Sequence, residues 1–194
     1  MSTKEMPEGL QLGGGILLRD VDSGAAATGE ELTRLVKQAI SEGKLLGLTR
    51  GSGTFTCKPV LRYPEKNRQE SKGADIDRWE VTLSGTLVTV TAESLALCLP
   101  GAEVEKETGM TVIRPPQGLK QGDFLSSLCW AGRLGKGWLL IELRNALNVA
   151  GASLTFTERG EGKMPFLFRA HCEAGEDGVP CRVVVVEETL SGDA

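Results

Sequence analysis

GDFLSSLCWAGRLGKGWLLIELRNALNVAGASLTFTERGEGKMPFLFRAH, residues 122–171, is the stretch whose reading decides the fold. An apolar segment, Phe124 to Ala131, runs into a Gly/Lys turn, Gly132-Arg-Leu-Gly-Lys-Gly137. A β-rich run, Trp138–Leu143, then leads into a short insert, Asn145-Ala-Leu-Asn148. Next come a predicted strand, Ser153–Thr157, a charged Gly-containing turn, Glu158–Lys163, and another strand, Pro165–His171. Leu154 and Phe156 alternate with Ser153, Thr155 and Thr157, while Phe166, Phe168 and Ala170 alternate with Leu167, Arg169 and His171. Such a period of two describes strands with one apolar face. Acids and bases fall at turns and on the polar faces, so the stretch carries structure and little chemistry.

Working outward, the same rhythm of short apolar runs between Gly and polar punctuation continues, as in an antiparallel β domain. Trp79, Val81 and Leu83 alternate with Glu80, Thr82 and Ser84, and Gly85 is placed to bend or bulge that strand before Leu87-Val-Thr-Val90. Thr54–Leu61 reads as a strand with Pro59 marking an edge or kink, and Arg182–Glu187 reads as a terminal strand. Two helices interrupt the pattern. Glu30–Ile40 carries Leu32, Leu35, Val36, Ala39 and Ile40 as one stripe, with Thr28 and Glu31 as a capping box and Gly43 just past the end. Ala92–Leu99 is shorter, capped by Thr91 and stopped by Pro100-Gly101. The expected fold is therefore mainly β: an antiparallel sandwich or barrel with one or two flanking helices. One segment has no apolar period. Tyr63–Asp77 (YPEKNRQESKGADID) is long and strongly charged, and predicts a protruding charged hairpin loop or a disordered one.

Composition sets outer bounds. A chain of 194 residues fits a single domain with a real core. A formal net charge of −4 suits neither a grip on a phosphate backbone nor a basic nucleic-acid module. The opening MSTKEMPEG has no apolar h-region, and no apolar run approaches the length of a membrane span, so a cytosolic protein, or one released by lysis, is expected. The five cysteines, Cys57, Cys98, Cys129, Cys172 and Cys181, are scattered without a C-x-x-C pair. They read as reduced, with Cys98 and Cys129 as small core hydrophobes.

Each candidate for chemistry weakens on inspection. His171 is the lone histidine, and its neighbour Cys172 would point to the opposite face of a strand. The Gly132–Gly137 turn fails as a phosphate loop, having Trp130 at the first glycine position and Gly137 at the hydroxyl position. Gly13-Gly14-Gly15 opens no predicted helix. Asp20, Asp22 and Glu31 fall at positions of a calcium-loop frame, but Ala25 replaces its glycine and Gly24 supplies no ligand. No catalytic residue, metal or cofactor is expected.

The order of the pieces resembles the tail tube proteins (major tail proteins) of long-tailed bacteriophages. Leu10-Gln-Leu-Gly-Gly-Gly-Ile16 is similar to their extended N-terminal arm, taken as residues 1–18, and KLLGLTRGSGT, residues 44–54, to their passage into a strand. DRWEVTLSGTL, residues 77–87, resembles the opposing strand, and AESLALCLPG, residues 92–101, the short helix on the sandwich. LRNALNVAGASLTFTERGEGKMPFLFRAH is the most specific part. The pieces cover roughly two thirds of the chain, which departs from the pattern at Arg19–Gly43, where a helix (28–42) replaces a short connection.

The resemblance implies a structural virion protein. Subunits, six to a ring, close a β-lined lumen, and rings stack into a tube that conducts DNA and the tape measure protein. Partners would be further copies of the chain, the tape measure, and the tail terminator and tail tip proteins. DNA would pass without specific binding, and no membrane would be engaged. The location would be the virion tail, and the host cytoplasm during assembly. Candidate contacts between subunits or rings are Arg62, Tyr63, Glu65, Lys66, Arg68, Glu70, Lys72, Asp75 and Asp77. Glu80, Glu142 and Glu158 are candidates to face the lumen. Alternatives are a tube protein of a contractile tail or secretion system, a surface-binding sandwich, and a small β-barrel cofactor-binding enzyme such as a split-barrel flavin binder.

Overall fold

The computed structural model describes residues 14–63, 74–135, 137–155, 162–171 and 180–187. Among them, eight strands form one antiparallel sheet that curls until it meets itself. β1 (Gly15–Arg19) lies between β2 (Leu45–Thr49) and β7 (Leu125–Leu134), and β7 forms a hairpin with β8 (Gly137–Asn148). The far edge of β8 takes β9 (Met164–Ala170) at Ala146–Asn148 and β10 (Cys181–Val186) at Trp138–Leu143. β9 crosses to β4 (Asp75–Leu87), whose opposite edge meets β2 at Thr49 and then runs along β3 (Thr54–Arg62). The circuit β1-β2-β4-β9-β8-β7 is a closed barrel, and β3 and β10 are the strands that end the path.

Two cores result, one on each side of the barrel wall. Leu17, Leu83, Leu128, Trp130, Ile141 and Phe168 point inward and are buried. The alternate residues Leu18, Cys129, Ala131 and Leu140 point outward and are buried too. Their cover is α1 (Gly29–Ser41), which lays Leu32, Val36 and Ala39 on them. Its ends are fixed as the sequence predicts. Glu31 N donates to Thr28 Oγ1 at 3.2 Å, although Glu31 Oε2 reaches back to Ala27 N rather than to the cap itself. At the other end Gly43 takes φ +73°, and Lys44 N and Gly43 N bond Ala39 O and Ile40 O in a Schellman closure. α2 (Ala92–Cys98) is held by reciprocal Thr91–Ser94 bonds and packs Leu95, Leu97 and fully buried Cys98 on the barrel core. Asn148 Nδ2 anchors its last turn by donating to Cys98 O at 2.9 Å.

Several boundaries differ from expectation. Gly15–Leu18 is a paired strand of the barrel rather than part of an arm, because β2 and β7 satisfy both of its edges; residues 1–13 lie outside the described set. Asn145-Ala-Leu-Asn148 is no insert but the end of β8. Asn145, at φ +47°, sits where the edge of β8 passes from β10 to β9, and its Nδ2 donates to His171 O at 2.6 Å. Ser153–Thr157 is not a strand in its described part, where Thr155 makes one isolated bridge to Lys163. Gly85 does not bulge β4, whose pairing with β9 runs through it without a shift. A Cβ there would meet Phe166 Cζ at 2.8 Å, so the glycine admits the ring instead. The shift in the β3–β4 ladder falls instead between Val60 and Leu61 of β3, leaving Asp77 as the extra residue on β4. A hairpin that the sequence reading missed, β5 (Glu103–Glu107) and β6 (Met110–Arg114), stands apart from the barrel sheet.

Candidate interface surfaces

The barrel is sealed along only part of its length. β9 joins β4 at Thr82–Leu87 and β8 at Ala146–Asn148. Beyond those stretches, among the described residues, β4 continues with β3 alone, and β10 pairs with β8 alone. Alternation carries the inward face onto both extensions. Val183 and Val185 lie opposite fully or almost fully buried Ile141 and Leu139, yet are 46% and 52% exposed. Trp79 follows Val81 and Leu83 on the inward side of β4 and is 41% exposed. These side chains belong by parity to the interior and by position to the surface.

The outward face of the arm is charged. Lys58 Nζ lies 3.0 Å from Glu80 Oε2, and Arg78 bridges Glu80 at 3.6 Å and Asp77 at 3.2 Å. The Lys58 hydrogen bond and charge hold the Glu80 carboxyl below its usual range. Arg62 pairs with Asp75 across the ladder, and Tyr63 is exposed at the end of the arm. Asp75 and Asp77 thus belong to β4 rather than to a loop, Asp75 in register with Arg62 and Asp77 as the bulged residue. Glu65, Lys66, Arg68, Glu70 and Lys72 lie outside the described residues, as do Glu158 and Cys172.

Glu142 requires a correction. It is only 2% exposed, lying on the outer face of β8 beneath the 3-10 turn Ser23–Ala25. Ser23 N donates to its Oε2 at 3.1 Å, Ser23 Oγ donates to the same atom, and Arg144 Nε lies 3.5 Å from Oε1. A carboxylate so covered ties the turn to the wall and faces no lumen.

The acids of the calcium-loop frame have partners of their own. Asp20 Oδ1 accepts from Ser126 Oγ, Asp22 Oδ1 accepts from Gly24 N, and Glu31 serves α1. Among the described residues, no three metal-ligating side chains converge. His171 packs edge-on against Phe124 at 5.2 Å, and its Nε2 is buried without a hydrogen-bond partner. Burial, with Arg169 nearby, lowers its pKa and favours the neutral ring. A groove of about 1180 Å³ runs between α1 and β1, β7, β8 and β10, lined by Ile16, Trp138, Val184, Val186 and Arg182. Among the described residues, neither cysteine nor histidine lines it.

Val183 and Val185 were missed as surface residues, because a run of valines signals burial on both faces. No family model matches the chain, and no curated protein matches its sequence. No helix among the described residues is long and apolar enough to cross a membrane.

Proposed function

We propose that this chain is a ring-forming structural protein of the phage tail tube type. Copies join through the edge of β10 and the β3–β4 arm, and rings stack into a conduit for DNA and the tape measure protein. The observation that carries the reading is the pair of strand extensions bearing interior-parity apolar residues on the surface, with Val183 and Val185 on one and Trp79 on the other. An exposed apolar strand edge is a template for pairing with another chain. A head-to-tail contact of two different edges closes by rotation into a ring. The acidic balance of the chain suits a passage through which DNA slides, since a basic wall would retain it. The virion tail and the host cytoplasm during assembly are the locations this reading assigns, with terminator and tip proteins at the ends of the tube.

Light scattering and negative-stain microscopy of the purified, reduced protein test the proposal. Rings or tubes that grow with concentration are expected. The double variant Val183→Lys/Val185→Lys should keep the wild-type circular dichroism and stay monomeric. A wild-type chain that remains strictly monomeric at high concentration, even with its tape measure partner, would count decisively against a tube role. A stoichiometric metal or flavin in protein purified from cells would overturn the non-enzymatic reading.

A further inference from the structure

The strands that end the sheet path, β3 and β10, each place a thiol at the same point. Cys57 Sγ and Cys181 Sγ stand 3.7 Å apart, although 124 positions separate them in sequence. The register explains the meeting. Cys57 lies opposite Val81 on β4, and Cys181 lies opposite Leu143 on β8. Val81 and Leu143 are both buried in the barrel core, so both cysteines take inward parity. Both also lie beyond the stretch in which β9 joins β4 to β8. The thiols therefore meet where the arm and the last strand flank the unsealed part of the barrel.

The other described cysteines are built differently. Cys98 and Cys129 are fully buried, and burial pushes their thiols up to about 11 and about 12. Thiolate is the reactive form, so these two are inert near neutral pH. Cys57 is exposed, and Cys181 is partly so.

We propose that Cys57 and Cys181 form a reversible disulfide that latches the β3–β4 arm to β10. Neither side of the pair depends on the tube reading. A low-mass disulfide such as oxidised glutathione supplies the oxidant. The Cys57 thiolate attacks one glutathione sulfur, forming a mixed disulfide and expelling one glutathione thiolate. The Cys181 thiolate then attacks Cys57 Sγ and expels the second. Each cysteine loses one proton, the protein is oxidised by two electrons, and the two glutathione thiolates take up the protons. Closing the contact to the bonded length of about 2.05 Å brings together sulfurs that already touch. The bond would close a loop spanning most of the chain, which makes it strongly stabilising by chain entropy.

The test oxidises the full chain with glutathione disulfide and maps its peptides. Trypsin places Cys57 on peptide 51–62, and Cys172 and Cys181 together on peptide 170–182. The Cys172→Ser chain removes the ambiguity. In that chain, a cross-linked pair of these peptides lacking two hydrogens is expected, reversed by dithiothreitol. The melting temperature should rise by roughly 5–15 °C on oxidation. The rise should be absent from Cys57→Ser. Mixed glutathione adducts without the cross-link in Cys172→Ser would overturn the proposal. So would a cross-link that leaves the melting temperature unchanged, because the bond would then latch nothing.

Discussion

The wall made by β1, β7 and β8 and the extensions made by β10 and the β3–β4 arm obey the same alternation, yet reach opposite fates. In the wall, inward Leu17, Trp130 and Ile141 fill the barrel, while outward Leu18, Ala131 and Leu140 lie under α1. In the extensions, inward Val183, Val185 and Trp79 are open, because β9 seals only the other half of the barrel. Strand parity decides which way a side chain points. Whether that direction is dry depends on what packs there, and under the ring-forming proposal the uncovered half is where a partner belongs.

The sharpest way to break the comparison is to attack the covered wall. Leu140 is fully buried on the face that α1 covers. Leu140→Ala should cost about 2–5 kcal/mol in urea unfolding, from lost transfer energy and the cavity left behind. A cost near zero would mean that α1 is only loosely docked. A smaller effect is expected where the barrel closes. Gly85→Ala places a methyl against the Phe166 ring, where a Cβ would stand 2.8 Å from Cζ. The ring or β9 must move, and about 1–3 kcal/mol should be lost in the same assay. Phe166→Leu in that background should recover part of it.

The extensions should behave differently. Val185→Thr, although opposite almost fully buried Leu139 in the ladder, should change monomer stability by less than about 0.5 kcal/mol. Under the ring-forming proposal its effect falls on self-association, measured by light scattering. The smallest effect concerns pH. His171 has a folded pKa below its ordinary value of 6.5, chiefly from burial and then from Arg169. The unfolded chain therefore binds the proton more readily, and stability drops as pH falls through the ordinary value toward the lowered one. His171→Phe keeps the packing on Phe124 and should remove that part of the decline in melting temperature below about pH 6.5.

The legible parts of the sequence were those governed by local rules. Thr28, Glu31 and Gly43 set the limits of α1 because capping and the left-handed closure involve only neighbours along the chain. Phe166, Phe168 and Ala170 declared the inward face of β9 by alternation alone. The misread parts depended on distant partners. Asn145 looked like a break, but it turns β8 from one neighbour to another without ending the strand. Glu142 looked like a solvent-facing acid until the turn at Ser23, 119 positions away, covered it. The β5–β6 hairpin carries alternating charge with little apolar signal, so periodicity passed over it.

By itself the sequence determined that this is a mainly β chain with a capped amphipathic helix, and roughly where β3, β4, β8, β9 and β10 run. Those properties follow from hydrogen-bonding needs and side-chain parity, which act over a few residues. Only the tertiary structure decided that β9 would close half of the barrel and leave β10 and the arm open. It also decided that Glu142 would be buried and that Cys57 and Cys181 would meet at 3.7 Å. Each of these depends on which strands become neighbours, a choice made by the packing of the whole sheet and written in no single segment.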